Sequence, residues 1–377
     1  MNNRQLEYYE KVRRKLKLGP FFTPKHKLVF EIMKILWNEE EIKILSYFEN
    51  ADKLISLQKL AEKSDTPKNE IKKILARSVR IGTVSKIGNK YGLEPLTPGV
   101  FEKYYIIRKD SKKNQIKLAR LFREYINEVV SLQMVESNFK IFRPVLPYEA
   151  KEKLININKS IVISESQVLP YELVEFLINK NDIFATIPCY CRTIGEYSRD
   201  PCKVASHEIG CLYGGDAAKY FLNMGVGRKM TKKEAIEHIK KAEKAGLVHT
   251  TVADHSLTST LFICNCCSCH CVLLHPTKKY RLKTVNPSNF VAKIDKDLCI
   301  LCEACLKKCQ MDAIFHQWAN EPDLSDEHIF IREEFCIGCG VCALNCPNNA
   351  IKMEKVRDND FSKIVKFGNK PLFELFI

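Results

Sequence analysis

All seventeen cysteines of this chain follow residue 188, and their spacing is the first sign of chemistry. Eight form two runs near the C-terminus, Cys299-x2-Cys302-x2-Cys305-x3-Cys309 and Cys336-x2-Cys339-x2-Cys342-x3-Cys346, the second followed by Pro347. Three thiolates on one tight loop can take three iron corners of a [4Fe–4S] cube, while the fourth cysteine, a turn further on, reaches the other cube. The expected ligands are Cys299, Cys302, Cys305 and Cys346 for one cluster, and Cys336, Cys339, Cys342 and Cys309 for the other. Gly338 and Gly340 lie between the cysteines of the second loop, where glycine lets backbone amides approach sulfur and tune its potential. The first loop carries Leu301 and Glu303 instead, so the two clusters should differ in potential. Zinc or disulfides at this spacing are the weaker reading. A pair of such clusters relays single electrons and does no bond chemistry by itself.

Nine further cysteines lie upstream: Cys189, Cys191, Cys202, Cys211, Cys264, Cys266, Cys267, Cys269 and Cys271. In a strand, the run from Cys264 to Cys269 would send thiolates to both faces, so one segment could serve two sites. Four soft thiolates from these segments could hold a third iron–sulfur cluster or a zinc ion. Buried free thiols or a redox disulfide are the bland alternatives. Nine exceed the need of one site, so some are spare or belong to a second centre.

Residue for residue, the two C-terminal runs resemble the bacterial two-[4Fe–4S] ferredoxin family. Gln310 departs from it, standing after Cys309 where the family usually has proline. Residues 183–352 resemble an uncharacterised family of anaerobe-type 4Fe–4S binding proteins, which join three motifs to a ferredoxin tail. The motifs read here as Cys189-Tyr190-Cys191-Arg192, then Gly227-Arg228 with Thr231, Glu234 and Ala235, then Ile263-Cys264-Asn265-Cys266-Cys267. His270 stands where that pattern leads one to expect another cysteine. The resemblance implies a group of proteins and not a reaction.

Other side chains carry weaker signals. Arg192 and Arg228 could receive an anionic substrate or an acidic redox partner, or simply compensate anionic thiolate clusters. His249 and His255 could be ligands or proton donors, although most lone histidines are neither. Gly225-x-Gly227 lacks a third glycine and a preceding strand, so it is no dinucleotide fingerprint, and there is no P-loop. Electrons are therefore expected from a partner protein or from a cofactor site that carries no recognisable motif.

Composition limits the class. The 377 residues suit two or three domains, and 45% hydrophobic with 28% charged residues suits a globular chain. The charged start, MNNRQLEYYEKVRRKLK, has no apolar core of a secretory signal. Clustered cysteines without such a signal point to metal binding in a reducing, cytoplasmic setting rather than to a disulfide framework. Residues 256–274 carry no formal charge, yet Asn265, His270 and five cysteines argue against a lipid-spanning helix. The net charge is +15; residues 1–120 hold 27 Lys and Arg against 14 Asp and Glu, nearly all of that excess. A basic N-terminal module beside a near-neutral metal-binding half suggests two jobs or two partners.

The elements that must position these residues give an α+β reading with several domains. Residues 1–39 read as a basic helical arm. Residues 40–107 read as a winged-helix-like module: helices over 40–48 and 56–63, a turn at 64–67, a helix opening at Pro67, then a hairpin turning at Gly88-Asn89. Residues 108–180 form a helical connector, with one long amphipathic helix over 111–136 and an irregular Pro-punctuated run over 144–170. Residues 181–290 form a Cys-rich α+β domain, with a strand at 183–187 and a helix over 232–245 opened by a Thr231/Glu234 capping box and closed by Gly246. Residues 291–357 form the two-cluster domain, whose halves repeat at an offset of 37, and 358–377 an apolar tail that packs or docks.

Three functions are compatible with this layout. The first is an electron-transfer protein or subunit, with two clusters, a third metal centre, and a redox partner meeting the basic module. The second is a redox-sensing DNA-binding regulator, with Lys68, Asn69, Lys72, Lys73 and Arg77 on a recognition helix and Lys86, Asn89 and Lys90 on the wing. The third is a reductase with its catalytic centre in the middle cysteine field.

Overall fold

The computed structural model describes residues 3–18, 21–51, 53–136, 142–150, 155–156, 172–252, 260–319, 327–359, 366–367 and 370–371. The chain divides into two compact units, one made of residues 1–139, 193–201 and 366–376, the other of the remainder.

In the first unit, Asn38 opens the helix Glu39–Leu45 with a reciprocal capping box: each side chain of Asn38 and Glu41 accepts the other's backbone N–H at 2.8 Å. Glu41 is buried, and a buried carboxylate must be satisfied. Ser78 Oγ donates to it at 2.8 Å and Arg77 Nη1 at 3.1 Å, while Arg77 Nη2 reaches Asp110 at 3.2 Å. Ser56 caps the helix Leu57–Ser64, which Asp65 ends in the left-handed region, and the helix Lys68–Arg80 follows. Pro67 is the residue before that helix, one place earlier than the expected first helical position. Strands Leu54–Ser56, Lys90–Gly92 and Ser85–Ile87 make an antiparallel sheet with Lys90–Gly92 in the middle.

Two expectations change here. The segment expected as an arm is built into the core: Val12, Leu16, Val29, Ile32 and Trp37 are fully buried, and Trp37 Nε1 donates to Thr83 Oγ1 at 3.1 Å. Apolar spacing in the helices Asn3–Lys15 and Lys27–Leu36 gives the hydrophobic reason. The helix expected over 111–136 is interrupted: Lys112–Tyr125 passes into a wider turn at Ile126–Val130 before Ser131–Glu136. Ser131 Oγ donates to the Ile126 carbonyl at 2.8 Å, giving an acceptor in that turn a partner.

The second unit holds every cysteine. Its larger sheet runs Arg228–Met230, Phe184–Ile187, Cys211–Gly214, Thr260–Cys266, Val248–Val252 and Phe142–Pro144, each antiparallel to its neighbour. The helices Val174–Asn179 and Lys232–Ala245 cover it through Ile178, Ala235 and Ile239, packed on Phe184, Leu212 and Ile263. The Lys232–Ala245 helix has the expected bounds, with both hydrogen bonds of its capping box and Gly246 at φ 91°. The strand expected at 183–187 begins at Phe184, and the helix expected at 171–178 runs over Val174–Asn179.

The C-terminal repeat gives two strand–loop–helix–strand halves. Phe290–Ile294 pairs with Ile351–Lys355 and Ile314–Gln317 with His328–Ile331, so each pair joins one strand from each half. The short helices Ala304–Lys308 and Val341–Leu344 follow the cysteine loops, and Phe290, Ala292, Ile314, Ile329, Ile351 and Met353 form the core between them. Among the described residues no helix is long and apolar enough to cross a membrane; the uncharged stretch instead contains the strand Thr260–Cys266. His255, the run 157–170 and most of the C-terminal tail lie outside the described residues.

Candidate metal centres

Interleaving of the two halves brings the eight C-terminal cysteines into two groups. Cys299, Cys302, Cys305 and Cys346 line one small pocket together with Ile294, Ile329 and Ile351. The other group is drawn by mutual influence of the thiols. Burial pushes Cys339 up to about 12, with Cys309 and Cys336 adding to the shift. Cys342 is raised by burial and then by Cys339, Cys336, Cys309 and Cys305. Burial likewise lifts Cys305 to about 11, helped by Cys299 and Cys346. Cys309 therefore stands with the second run and Cys346 with the first. Buried thiols held in their neutral form must lose protons when metal binds, and four thiols per group match the donor set of an iron–sulfur cube.

Backbone shape explains the glycine asymmetry of the loops. Gly338 and Gly340 adopt φ 70° and 74°. A Cβ on Gly338 would stand 2.1 Å from both the Phe290 carbonyl oxygen and Ser288 Oγ, so only glycine fits. Leu301 and Glu303, at the corresponding places of the first loop, take the same left-handed conformation at φ 54° and 56°. Leu301 packs against the domain core, and Glu303 pairs with His316 Nδ1 at 2.7 Å.

The nine middle cysteines separate as well. Cys202, Cys267 and Cys269 place their Sγ atoms within 4.8 Å of one another. Cys189, Cys191, Cys271, Cys266, Cys264 and Cys211 form a buried string; its last pair is 3.5 Å apart. Along it, Cys189 is lowered to about 7 by the Cys191 thiol and then by Arg192, while Cys271 is lowered by Cys191 and Cys266. The strand ends at Cys266, so Cys264 and Cys266 share a face and the turn after them, rather than strand alternation, carries Cys267 and Cys269 to the other group.

Arg192 stands between the two groups, fully buried. It donates to the backbone carbonyls of Ser206 at 3.2 Å, Asn265 at 2.8 Å and Ile209. Burial works against its charge, but Cys189, Cys267, Cys202 and Cys211 together hold the guanidinium protonated. Arg192 thus compensates thiolate charge from a fixed frame, whereas Arg228 is exposed and pairs with Glu234 at 3.1 Å.

Some side chains have other roles than the sequence suggested. His249 is buried and held from both sides: Nδ1 meets Asn265 Oδ1 at 2.7 Å and Nε2 meets Glu243 at 3.3 Å. Asn265, inside the Ile263–Cys267 motif, has a tertiary role that the sequence did not suggest. Its Nδ2 donates to the Gly210 carbonyl at 2.7 Å, tying the strand to the loop before Cys211. Gln310 also gains a role, because its Oε1 accepts from Ser268 N at 2.9 Å and from Ser268 Oγ at 3.1 Å. The residue after Cys309 thereby pins the turn between Cys267 and Cys269.

Comparison with known proteins agrees with the C-terminal geometry. The family model of the 4Fe–4S dicluster domain matches residues 292–353. Over 70 residues the chain is 34% identical to an archaeal-type glutamate synthase (NADPH) of Dehalococcoides mccartyi, covering 19% of this chain and 13% of that protein. It is 34% identical over 89 residues to an uncharacterised ferredoxin of Methanocaldococcus jannaschii, covering 22% and 47%. With pyruvate synthase subunit PorD of Methanothermobacter marburgensis it shares 35% identity over 80 residues, 21% of this chain and 85% of that subunit. The chain thus spans less than half the length of the first two relatives, and no solved structure matches it. By the dicluster match and by its coverage of PorD, the chain belongs to the 4Fe–4S dicluster ferredoxin family, with that domain at residues 292–353.

Proposed function

We propose that this protein is an electron carrier or electron-transfer subunit holding two [4Fe–4S] clusters in its C-terminal domain and a further metal centre among its middle cysteines. The grouping of Cys346 with the first run, around one cavity, is the observation that carries the reading. When bound, such clusters store and release one electron at a time. Cys299, Cys302, Cys305 and Cys346 would hold one, and Cys336, Cys339, Cys342 and Cys309 the other. The crossed fourth ligands keep the two sites adjacent through the paired helices Ala304–Lys308 and Val341–Leu344. Ile294, Ile329 and Ile351 give the first site an apolar wall, while Cys302 stays exposed, and such surroundings tune a cluster's potential. The relatives, named as a glutamate synthase, a ferredoxin and a pyruvate synthase subunit, favour a redox partner protein as source or sink of the electrons.

Iron and acid-labile sulfide measured on anaerobically purified protein test this. About eight irons per chain, with visible absorbance that dithionite bleaches, are expected from the C-terminal pair, and about twelve if the middle cysteines hold a third cluster. Protein that is colourless and iron-free after anaerobic reconstitution would overturn the proposal.

A second reading has its own observation. The order of helices and strands over residues 39–92 supports a winged-helix-like reading, in which Lys68, Asn69, Lys72 and Lys73 are exposed on the third helix and Lys86, Asn89 and Lys90 on the hairpin. Such a face suits phosphate contacts in a DNA-binding regulator, or an acidic partner protein. Arg77 leaves this set, since Glu41 and Asp110 hold it.

A further inference from the structure

We propose that Cys202, Cys267 and Cys269 bind one soft divalent ion, zinc foremost, as a mononuclear site separate from the iron–sulfur centres. The inference rests on reading the middle thiols as metal-binding and adds how they divide. Tetrahedral zinc with Zn–S bonds of about 2.3 Å sets its sulfurs about 3.8 Å apart. A mutual separation within 4.8 Å suits thiolates meeting on a single ion. A cube offers each thiolate its own iron, which spreads the sulfurs. The chain provides its own comparison: all eight C-terminal cysteines are among the described residues, and no three of them approach so closely.

The surroundings fit a built site. Cys267 is buried, while Cys202 and Cys269 are half-buried, so water or a small ligand can supply the fourth position. Two observations beyond the thiols hold the geometry. Ser268, between the two paired cysteines, is fixed by both bonds to Gln310. On the loop side, Val204 N donates to Cys202 Sγ at 3.4 Å, and Val204, Ala205 and Ile209 pack with Ala242 and Leu247 around the trio. Three thiolates around a divalent ion carry a net charge of about −1, and the buried Arg192 supplies the compensating positive charge. The site would clip the loop that carries Cys202 to the turn that follows the strand Thr260–Cys266.

Elemental analysis of the full chain and of the variants Cys202→Ala and Cys269→Ala, all purified anaerobically, tests this. About one zinc per wild-type chain is expected, falling about fivefold or more in each variant, with iron, sulfide and dithionite-bleachable absorbance unchanged as the sign that the fold persists. Cobalt loaded in place of zinc should give a thiolate charge-transfer band that either variant loses. Two results would overturn the proposal: loss of about four irons per chain in a variant, which would put the trio in a cluster, or zinc and cobalt binding indifferent to both substitutions. Because the readout is zinc or cobalt, the site can stand even if the C-terminal relay fails its own iron measurement.

Discussion

Gly338 and Leu301 occupy matching places in the two cysteine loops, yet they answer to different constraints. Both backbones lie in the left-handed region, where a side chain costs about 1 kcal/mol. At Gly338 the Phe290 carbonyl and Ser288 hydroxyl occupy the space a Cβ would need. Gly338→Ala should therefore destabilise the domain by about 3 kcal/mol or more and lower iron retention, whereas Leu301→Ala should cost about 2 kcal/mol from lost packing and keep its iron. Anaerobic thermal unfolding with iron analysis separates the two. Glu10 shows an electrostatic constraint at the same scale. Arg13 grips its carboxylate with two bonds of 2.7 Å, and this pairing, with Arg14 beside it, lowers Glu10 to about 2. A lowered carboxylate contributes stability above its unfolded value near 4.5 and loses it as pH falls through about 2. Glu10→Gln should cost about 1 kcal/mol at pH 7, since solvent screens the pair, and that difference should vanish toward pH 2 in unfolding titrations.

Elements set which cysteines meet. The strand pairings Phe290–Ile294 with Ile351–Lys355 and Ile314–Gln317 with His328–Ile331 interlock the two repeats, and the fourth cysteine of each run is carried across. Cys309→Ala should accordingly alter the cluster held by the second run, not the first. Electron paramagnetic resonance of the reduced protein would show it, and a change confined to the first-run cluster would contradict the assignment. The turn at Ser268 is an element-level joint of the same kind. Gln310→Ala would leave the buried Ser268 N–H without its partner, at an expected cost of about 1–3 kcal/mol in anaerobic denaturant unfolding. The cysteine runs and the Thr231 capping box were legible in sequence because their information is local. The Gln310–Ser268 bond spans 42 residues and could not be read that way.

For the whole molecule, charge and chemistry are segregated. Nearly all of the +15 lies in the first 120 residues, and all seventeen cysteines follow residue 188. Fields of this kind steer acidic partners and fall off over a Debye length of about 8 Å at physiological salt. If the exposed lysines meet nucleic acid, Lys72→Ala with Lys73→Ala should weaken retardation of random duplex DNA and reduce its salt slope by about 2. No retardation of the wild-type protein at low salt would remove DNA and leave an acidic protein as the partner of this face.

Sequence alone determined the kind of chemistry, because thiol spacing within a loop of a few residues dictates which metal geometry that loop can serve. It also carried the internal repeat, the positions of the longer helices and the excess of positive charge. Only the tertiary structure decided how the nine middle thiols divide, that Arg192 stands buried between them, and that Arg77 and His249 are held by carboxylates. Those outcomes depend on segments distant in the chain converging where burial forbids an unpaired charge, and no local pattern of residues encodes that convergence.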